Sequence, residues 1–128
     1  MRLLLDTHAL LWWWTDDPQL SLAARNAIAD TGNLVIVSAA SAWELATKHR
    51  LGKLGDAAEA VSRYDELVSA DGFQHLPMSY YHCLKAGAYA ADHRDPFDRM
   101  LAAQTELEGL VLVTRDPALA SFGVDTLW

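Results

Sequence analysis

The chain has 128 residues, of which 52% are hydrophobic, and this composition excludes a disordered protein. Its formal net charge of −7 argues against a broad basic face that wraps nucleic acid non-specifically. No apolar run approaches the roughly 18 residues needed to cross a bilayer. We therefore expect one soluble, cytoplasmic domain over residues 1–128, with no membrane partner. Cys83 is the only cysteine, which excludes an intrachain disulfide.

Short apolar strands alternate with helices along the chain, which predicts an α/β sandwich with a mostly parallel central sheet flanked by helices. The strands are recognised by short β-branched or apolar runs, and the helices by capping residues and apolar periodicity. In chain order we predict a strand at 2–5, helices over 8–14 and 21–30, a strand at 34–37, helices over 41–50 and 56–70, a strand at 73–76, a helix over 79–91, a helix from the Asp95-Pro96 pair to Gly109, a strand at 110–113, a helical turn over 117–122 and a strand at 124–127.

Four acidic residues, Asp6, Glu44, Asp98 and Asp116, fall near predicted junctions between strands and helices. Right-handed crossovers would bring all four to the carboxyl edge of the sheet, where open α/β folds bind their ligands. Two carboxylates about 4 Å apart repel by roughly 4 kcal/mol at a protein surface, so such a group favours a bound cation. Oxygen-only ligands favour Mg²⁺ or Mn²⁺ over zinc. The pattern therefore predicts a metal-dependent phosphoryl-transfer site.

Each acid also has a simpler explanation as a helix cap. Glu44 completes a capping box with Ser41, Asp6 and Asp116 can cap the helices that follow them, and Asp95 before a proline is an ordinary helix start. Capping does not explain why the acids share one edge of the sheet. The two roles can coexist.

Four segments resemble the PIN-domain ribonucleases, and most closely the VapC-type toxins of type II toxin-antitoxin systems. They are residues 3–12 (LLLDTHALLW), 38–48 (SAASAWELATK), 93–104 (HRDPFDRMLAAQ) and 112–122 (LVTRDPALASF), in the order found in that family. The resemblance implies a PIN-like three-layer sandwich that binds Mg²⁺ or Mn²⁺ and cleaves single-stranded regions of RNA. It also implies a homodimer, neutralised by a cognate antitoxin that lays its C-terminal segment over the toxin.

The resemblance carries catalytic and metal-binding roles to Asp6, Glu44, Asp98 and Asp116. Metal-activated water would then cleave RNA to leave 5′-phosphate and 3′-hydroxyl ends.

Further residues receive secondary roles by the same resemblance. Asp95 would support or cap, and Thr114 would orient a carboxylate or a metal-bound water. Apart from the resemblance, their positive charge makes Lys48, Arg99 and Arg115 candidates to hold the RNA backbone beside the acidic pocket.

Several aromatic and histidine side chains have more than one interpretation. The residues Trp12–Trp14 point about 100° apart on a helix, so at least one should be exposed, as surface or as part of a partner groove near the first helices. Tyr80, Tyr81, Tyr89 and Leu84 suit helix packing better than base stacking. His93 lies near enough to the acidic segment to contact substrate.

Rival functions fit the sequence less well. A phosphoacceptor receiver-like domain needs paired acids after the first strand and a late lysine, whereas no lysine follows Lys85. A haloacid-dehalogenase-type phosphatase needs a second aspartate where His8 stands. A non-catalytic α/β binding module remains the alternative, although no acid of the four is missing. The RNA target, its cleavage sequence, the number of metal ions and the identity of the antitoxin stay open.

Overall fold

Five short segments form one sheet, and every neighbouring pair of strands is parallel. A computed structural model describes all 128 residues of the chain. The strand order is β3-β2-β1-β4-β5, with β1 at the centre. The strands are β1 (Arg2–Leu5), β2 (Leu34–Ser38), β3 (Gln74–Leu76), β4 (Val111–Val113) and β5 (Thr126–Leu127).

Helices and one 3-10 turn connect these strands, and together they place helical layers on both faces of the sheet. No helix is both long enough and apolar enough to cross a membrane. The helices are α1 (Thr7–Trp14), α2 (Leu22–Ala29), α3 (Ala39–Arg50), α4 (Glu59–Ser62), α5 (Tyr64–Ala70), α6 (Tyr80–Ala88), α7 (Pro96–Glu108) and α8 (Pro117–Ala120).

The central strand β1 is buried on both faces. Leu3 and Leu5 point into one apolar cluster and Leu4 into another, as the twofold alternation of a strand requires. All three leucines are fully buried, and each such side chain stabilises the fold by roughly 1.5–3 kcal/mol. A sheet with a core on each side confirms the predicted α/β sandwich.

The strand order identifies where the chain reverses its direction of winding. It moves from β1 outward through β2 to β3, then returns to the other side of β1 to form β4 and β5. In doubly wound sheets the crevice at such a reversal, outside the carboxyl ends of the strands, is the usual ligand site. Receiver-like domains have the order 2-1-3-4-5, so this topology excludes that rival.

Helix α3 begins two residues earlier than predicted. Ser38, the last residue of β2, is its N-cap and accepts a hydrogen bond from the Ala40 amide at 3.0 Å. Ser41 lies inside the first turn, where its hydroxyl accepts a hydrogen bond from the Thr7 hydroxyl at 3.0 Å. The predicted capping box between Ser41 and Glu44 is therefore wrong, because the strand end supplies the cap first.

The segment predicted as one helix over 56–70 is divided. A 3-10 turn at Gly55–Ala57 precedes α4 and α5, which are separated at Arg63, where φ is −116° and ψ is 21°. The division lets the Tyr64 ring pack edge-on against Trp14, with centroids 5.5 Å apart. Helix α6 likewise ends at Ala88 rather than at residue 91.

The three consecutive tryptophans are all at least partly buried, so the prediction that one is exposed was wrong. Trp12 is buried, while Trp13 and Trp14 are half-buried. Both half-buried indoles donate to the same carboxylate oxygen of Asp71, at 3.2 and 2.8 Å. This acceptor lies 58 and 57 residues away in the sequence, and it satisfies the polar ends of both rings.

Exposed apolar side chains lie elsewhere, on α3 and α6. Trp43, Tyr80, Tyr81 and Leu84 are each more than half exposed. The prediction that Tyr80, Tyr81 and Leu84 pack within the fold was therefore wrong, because α6 turns this face to solvent.

Candidate active site

Two of the predicted acids lie at the reversal between β1 and β4. Asp6 directly follows β1, and Asp116 begins the short helix that follows β4. They line the same cavity of about 280 Å³, together with His8, Trp12 and Arg115. The sheet topology therefore brings side chains 110 positions apart to one crevice.

Asp6 is held by its own helix. It is the N-cap of α1, and its Oδ1 atom accepts a hydrogen bond from the Ala9 amide at 2.7 Å. The side chain is buried, and this burial raises the pKa of the Asp6 carboxyl above its ordinary value. The neighbouring Thr114 side chain and the hydrogen bond from Ala9 lower the pKa, while the nearby charge of Glu44 adds to the rise.

Thr114 connects the acids that follow β1 and β4. It is buried, it lies close enough to Asp6 to lower the pKa of that carboxyl, and its hydroxyl accepts a hydrogen bond from the Asp116 amide at 3.1 Å. Asp116 in turn caps α8, since its Oδ1 atom accepts from the Ala118 amide at 2.9 Å. The threonine therefore lies beside one acid and holds the backbone of the other.

Glu44 lies near enough to both Asp6 and Asp98 to influence their charge. Its side chain is largely buried, and its negative charge contributes to the raised pKa of both aspartates. Lys48, one helical turn further along α3, makes a salt bridge of 3.3 Å to the Glu44 Oε2 atom. The charge of Glu44 therefore acts both on the aspartate that follows β1 and on the aspartate in the first turn of α7.

Asp98 lies in the first turn of α7. Burial raises the pKa of its carboxyl to about 6, and the charges of Asp95 and Glu44 contribute to that rise. The His93 Nε2 atom lies 2.8 Å from the Asp98 Oδ2 atom, and this hydrogen bond works in the opposite direction. A contact between His93 and Asp98 was not predicted, although the two residues lie only five positions apart in the HRDPFD segment.

Asp95 acts as the cap of α7. Its Oδ1 atom accepts hydrogen bonds from the amides of Phe97 at 2.9 Å and Asp98 at 3.3 Å. This geometry agrees with the supporting or capping role expected for it.

The three cations expected near RNA are all engaged within the protein. Lys48 pairs with Glu44, as described above. Arg115 lies over the Trp12 ring at 4.6 Å and donates to the Gln19 side chain at 3.3 Å. Arg99 donates only to main-chain carbonyl groups. Its five contacts use its donors in holding the chain itself, and contact between Arg99 and RNA stays a prediction.

The chemistry of these carboxylates suits a hard divalent cation. They supply oxygen ligands only, and the raised pKa of Asp6 and of Asp98 shows that this environment penalises uncompensated negative charge. No group of three or more His, Cys, Asp or Glu side chains has the arrangement of a formed metal site. The donor set therefore fits the ion, and binding would require the carboxylates to close around it.

Solved structures of other proteins share this fold. The chain is similar to VapBC2 from Rickettsia felis, in a crystal structure bound to a DNA fragment from their promoter, with a TM-score of 0.71, 16% identity, and coverage of 99% of this chain and 98% of that chain. It is also similar to FitAcB from Neisseria gonorrhoeae (TM-score 0.68, 19% identity, 98% and 96% covered). VapBC-1 from nontypeable Haemophilus influenzae gives a TM-score of 0.66, 17% identity, and coverage of 99% and 97%.

Sequence comparison decides the family. A search of curated proteins gives no significant match to the chain. A family profile described as the PIN domain, however, matches residues 3–124. This match spans every strand except β5 and all of the predicted acids. Together with the shared fold, it shows that the chain belongs to the PIN domain family.

Proposed function

We propose that the protein is a metal-dependent endoribonuclease that hydrolyses phosphodiester bonds in single-stranded regions of RNA, with Mg²⁺ or Mn²⁺ as its cofactor. We further propose that it acts in the cytoplasm as the VapC-type toxin of a toxin-antitoxin pair. The acids Asp6, Glu44, Asp98 and Asp116 are the proposed catalytic and metal-binding residues.

One observation carries the nuclease proposal. Glu44 interacts electrostatically with both Asp6 and Asp98, while Asp6 and Asp116 share a cavity at the reversal between β1 and β4. Helix capping alone would not gather these carboxylates. Glu44 in particular caps no helix, since α3 is capped by Ser38.

Each protein group has a definite task in this proposal. Asp6, Glu44, Asp98 and Asp116 would hold the ion, which when bound supplies positive charge to the scissile phosphate and activates water. The Thr114 side chain lies beside the Asp6 carboxylate and would orient it, and His93 hydrogen-bonds to the Asp98 carboxylate. Hydrolysis by water predicts 5′-phosphate and 3′-hydroxyl ends. Lys48, Arg99 and Arg115 are the proposed candidates for RNA contact.

The proposed partners are a cognate antitoxin and a second copy of this chain. The similar structures include VapBC complexes from two organisms, which supports a partner protein of the same kind here. Apolar side chains exposed on α3 and α6 offer a protein-binding surface, in addition to the one expected near the first helices. Light scattering at micromolar concentration tests the homodimer, and a monomeric mass would contradict it.

The nuclease proposal is tested by incubating purified protein with total RNA in Mg²⁺, in Mn²⁺ or in chelator. Wild-type protein should cleave only with metal. Asp6→Asn should lose cleavage by at least ~100-fold, since removal of one transition-state-stabilising group costs about that much. The asparagine retains an oxygen that can cap α1, so the fold should remain intact.

Asp125→Asn is the matched control. Asp125 is an exposed carboxylate just before β5, at the opposite edge of the sheet. This variant should cleave at the wild-type rate. Equal activity of Asp6→Asn and Asp125→Asn, in preparations free of contaminating nuclease, would overturn the proposal.

A further inference from the structure

The Arg99 side chain donates to five main-chain carbonyl groups. Its Nε atom lies 2.8 Å from the Ala86 oxygen, its Nη1 atom contacts the oxygens of Ala91 at 3.0 Å and His93 at 2.8 Å, and its Nη2 atom contacts those of Gly87 at 3.4 Å and Tyr89 at 2.6 Å. A guanidinium group has five N–H donors in a planar arrangement. All of its nitrogens therefore serve one stretch of chain, residues 86–93.

These carbonyl groups have few other partners. Ala86 and Gly87 lie in the last turn of α6, where the carbonyls lack intrahelical donors. Tyr89, Ala91 and His93 belong to the connection between α6 and α7, which has no regular structure. Arg99 thus both terminates α6 and fixes the path of the connection that follows.

That connection ends at the imidazole that contacts Asp98. His93 accepts from Arg99 through its main-chain oxygen, and its Nε2 atom lies 2.8 Å from the Asp98 carboxylate. The Phe122 ring packs edge-on against the imidazole, with centroids 5.6 Å apart. The ring position is therefore defined by Arg99, Asp98 and Phe122 together.

We propose that Arg99 is a positioning residue: by gathering the carbonyls of residues 86–93, it holds His93 against Asp98 and so fixes the Asp98 carboxylate in the site. This inference rests on the proposed nuclease function for its effect on rate. Its structural part, the placement of His93, stands apart from that function.

Arg99→Lys is the first test. A lysine keeps the positive charge but cannot reproduce the planar array of donors. We expect kcat for RNA cleavage to fall about tenfold with KM within twofold of wild type, the size of loss typical when a supporting partner of a metal ligand is removed. Amide hydrogen exchange in residues 89–94 should accelerate, and the NMR signals of the His93 ring nitrogens should shift.

Arg63→Lys is the matched control, because Arg63 is an exposed arginine that pairs only with Glu59 and Glu66. It should leave kcat and the His93 signals unchanged. An unaltered His93 signal in Arg99→Lys would overturn the proposal.

A double-mutant cycle shows whether Arg99 acts through His93. His93→Gln leaves the main-chain acceptor of Arg99 in place, and it remains informative if Arg99→Lys fails to fold. His93→Gln alone should reduce kcat about tenfold, and adding Arg99→Lys should cost less than a further twofold. Wild-type kcat in His93→Gln, or two losses that multiply in full, would overturn the proposal.

The proposed function and this inference can fail separately. Wild-type protein that cleaves no RNA in either metal would contradict the nuclease function. The ring-nitrogen signals of His93 would then decide the structural part on their own, supporting it if they shift in Arg99→Lys and overturning it if they do not.

Discussion

Asp6 and Asp98 lie at the same edge of the sheet, and burial raises the pKa of both, yet they are held in place differently. Asp6 is fixed by local structure, as the cap that accepts from the amide three residues ahead. Asp98 depends on His93, which is itself placed by Arg99. One carboxylate of the site is therefore fixed by a strand-to-helix junction, and the other by a network of side chains.

Substitution of the two aspartates at the start of α7 should distinguish a metal ligand from a helix cap. Asp98→Asn should reduce RNA cleavage by at least ~100-fold. Asp95→Asn should reduce it by less than about tenfold, because asparagine caps a helix as well as aspartate does. Initial rates under saturating Mg²⁺ measure both variants. Equal losses would mean that Asp95 belongs among the ligands, and that the distinction between the two acids is incorrect.

A pH dependence of stability should follow from Asp98. Its pKa is raised from 3.8 to about 6 by burial, so between these values the folded protein holds a proton that the unfolded chain has lost. The free energy of unfolding should therefore fall as pH rises through about 6.

Asp98→Asn has no carboxyl that titrates at this position, so it is the control variant for the pH dependence. With chelator present, the melting temperature of Asp98→Asn minus that of wild type should increase by a few degrees from pH 4 to pH 7 and then level off. A difference between the two proteins that does not change with pH would contradict the assignment of the raised pKa.

A smaller effect tests the local placement of Asp6. Asp6→Ala removes the acceptor for the Ala9 amide, whereas Asp6→Asn retains one. The alanine variant should have a free energy of unfolding about 1 kcal/mol lower than the asparagine variant, the usual value of an N-cap. Urea denaturation measures this difference. Equal stability would show that the cap contributes nothing to α1.

The smallest effect concerns the salt bridge beside the site. Lys48→Met should lower the free energy of unfolding by less than about 0.5 kcal/mol, since an i,i+4 pair on a helix contributes little. RNA affinity should fall if Lys48 also contacts the substrate. Urea denaturation measures the effect of Lys48→Met on stability. RNA binding to the Asp6→Asn protein, with and without Lys48→Met, measures its effect on affinity. A stability loss above 1 kcal/mol would indicate a structural role instead.

The sequence predicted those parts of the fold that depend on local patterns. All five strands were predicted, from short runs bounded by turn or capping residues. The caps Asp6, Asp95 and Asp116 were recognised because a helix start is a local hydrogen-bonding pattern. The α/β class followed from the alternation of these elements.

Two of the errors lie where a distant residue decides the structure. The last turn predicted for α6 is missing, because Arg99 takes the carbonyl groups that would otherwise end a longer helix. Trp13 and Trp14 are withdrawn from solvent by Asp71. A single sequence shows periodicity and capping, but not which side chain from another element will supply a hydrogen bond.

For the candidate site, the sequence placed the four acids near one edge of the sheet, but it did not show what holds them, and their metal-binding roles stay a prediction. His93 contacts Asp98 through its ring, and Arg99 contacts His93 through a main-chain carbonyl, an acceptor that has no sequence signature. Charge alone does not show whether an arginine contacts RNA, organises a loop or does both.

The all-parallel sheet has a consequence for the charge of the site. Helices α1, α3 and α7 all begin at the edge where the acids meet, capped by Asp6, Ser38 and Asp95. The backbone amides at those three starts present the positive ends of helix dipoles to the carboxylates. Part of the repulsion among the acids is thus offset by the main chain. Removing the metal should therefore abolish the proposed RNA cleavage without unfolding the protein.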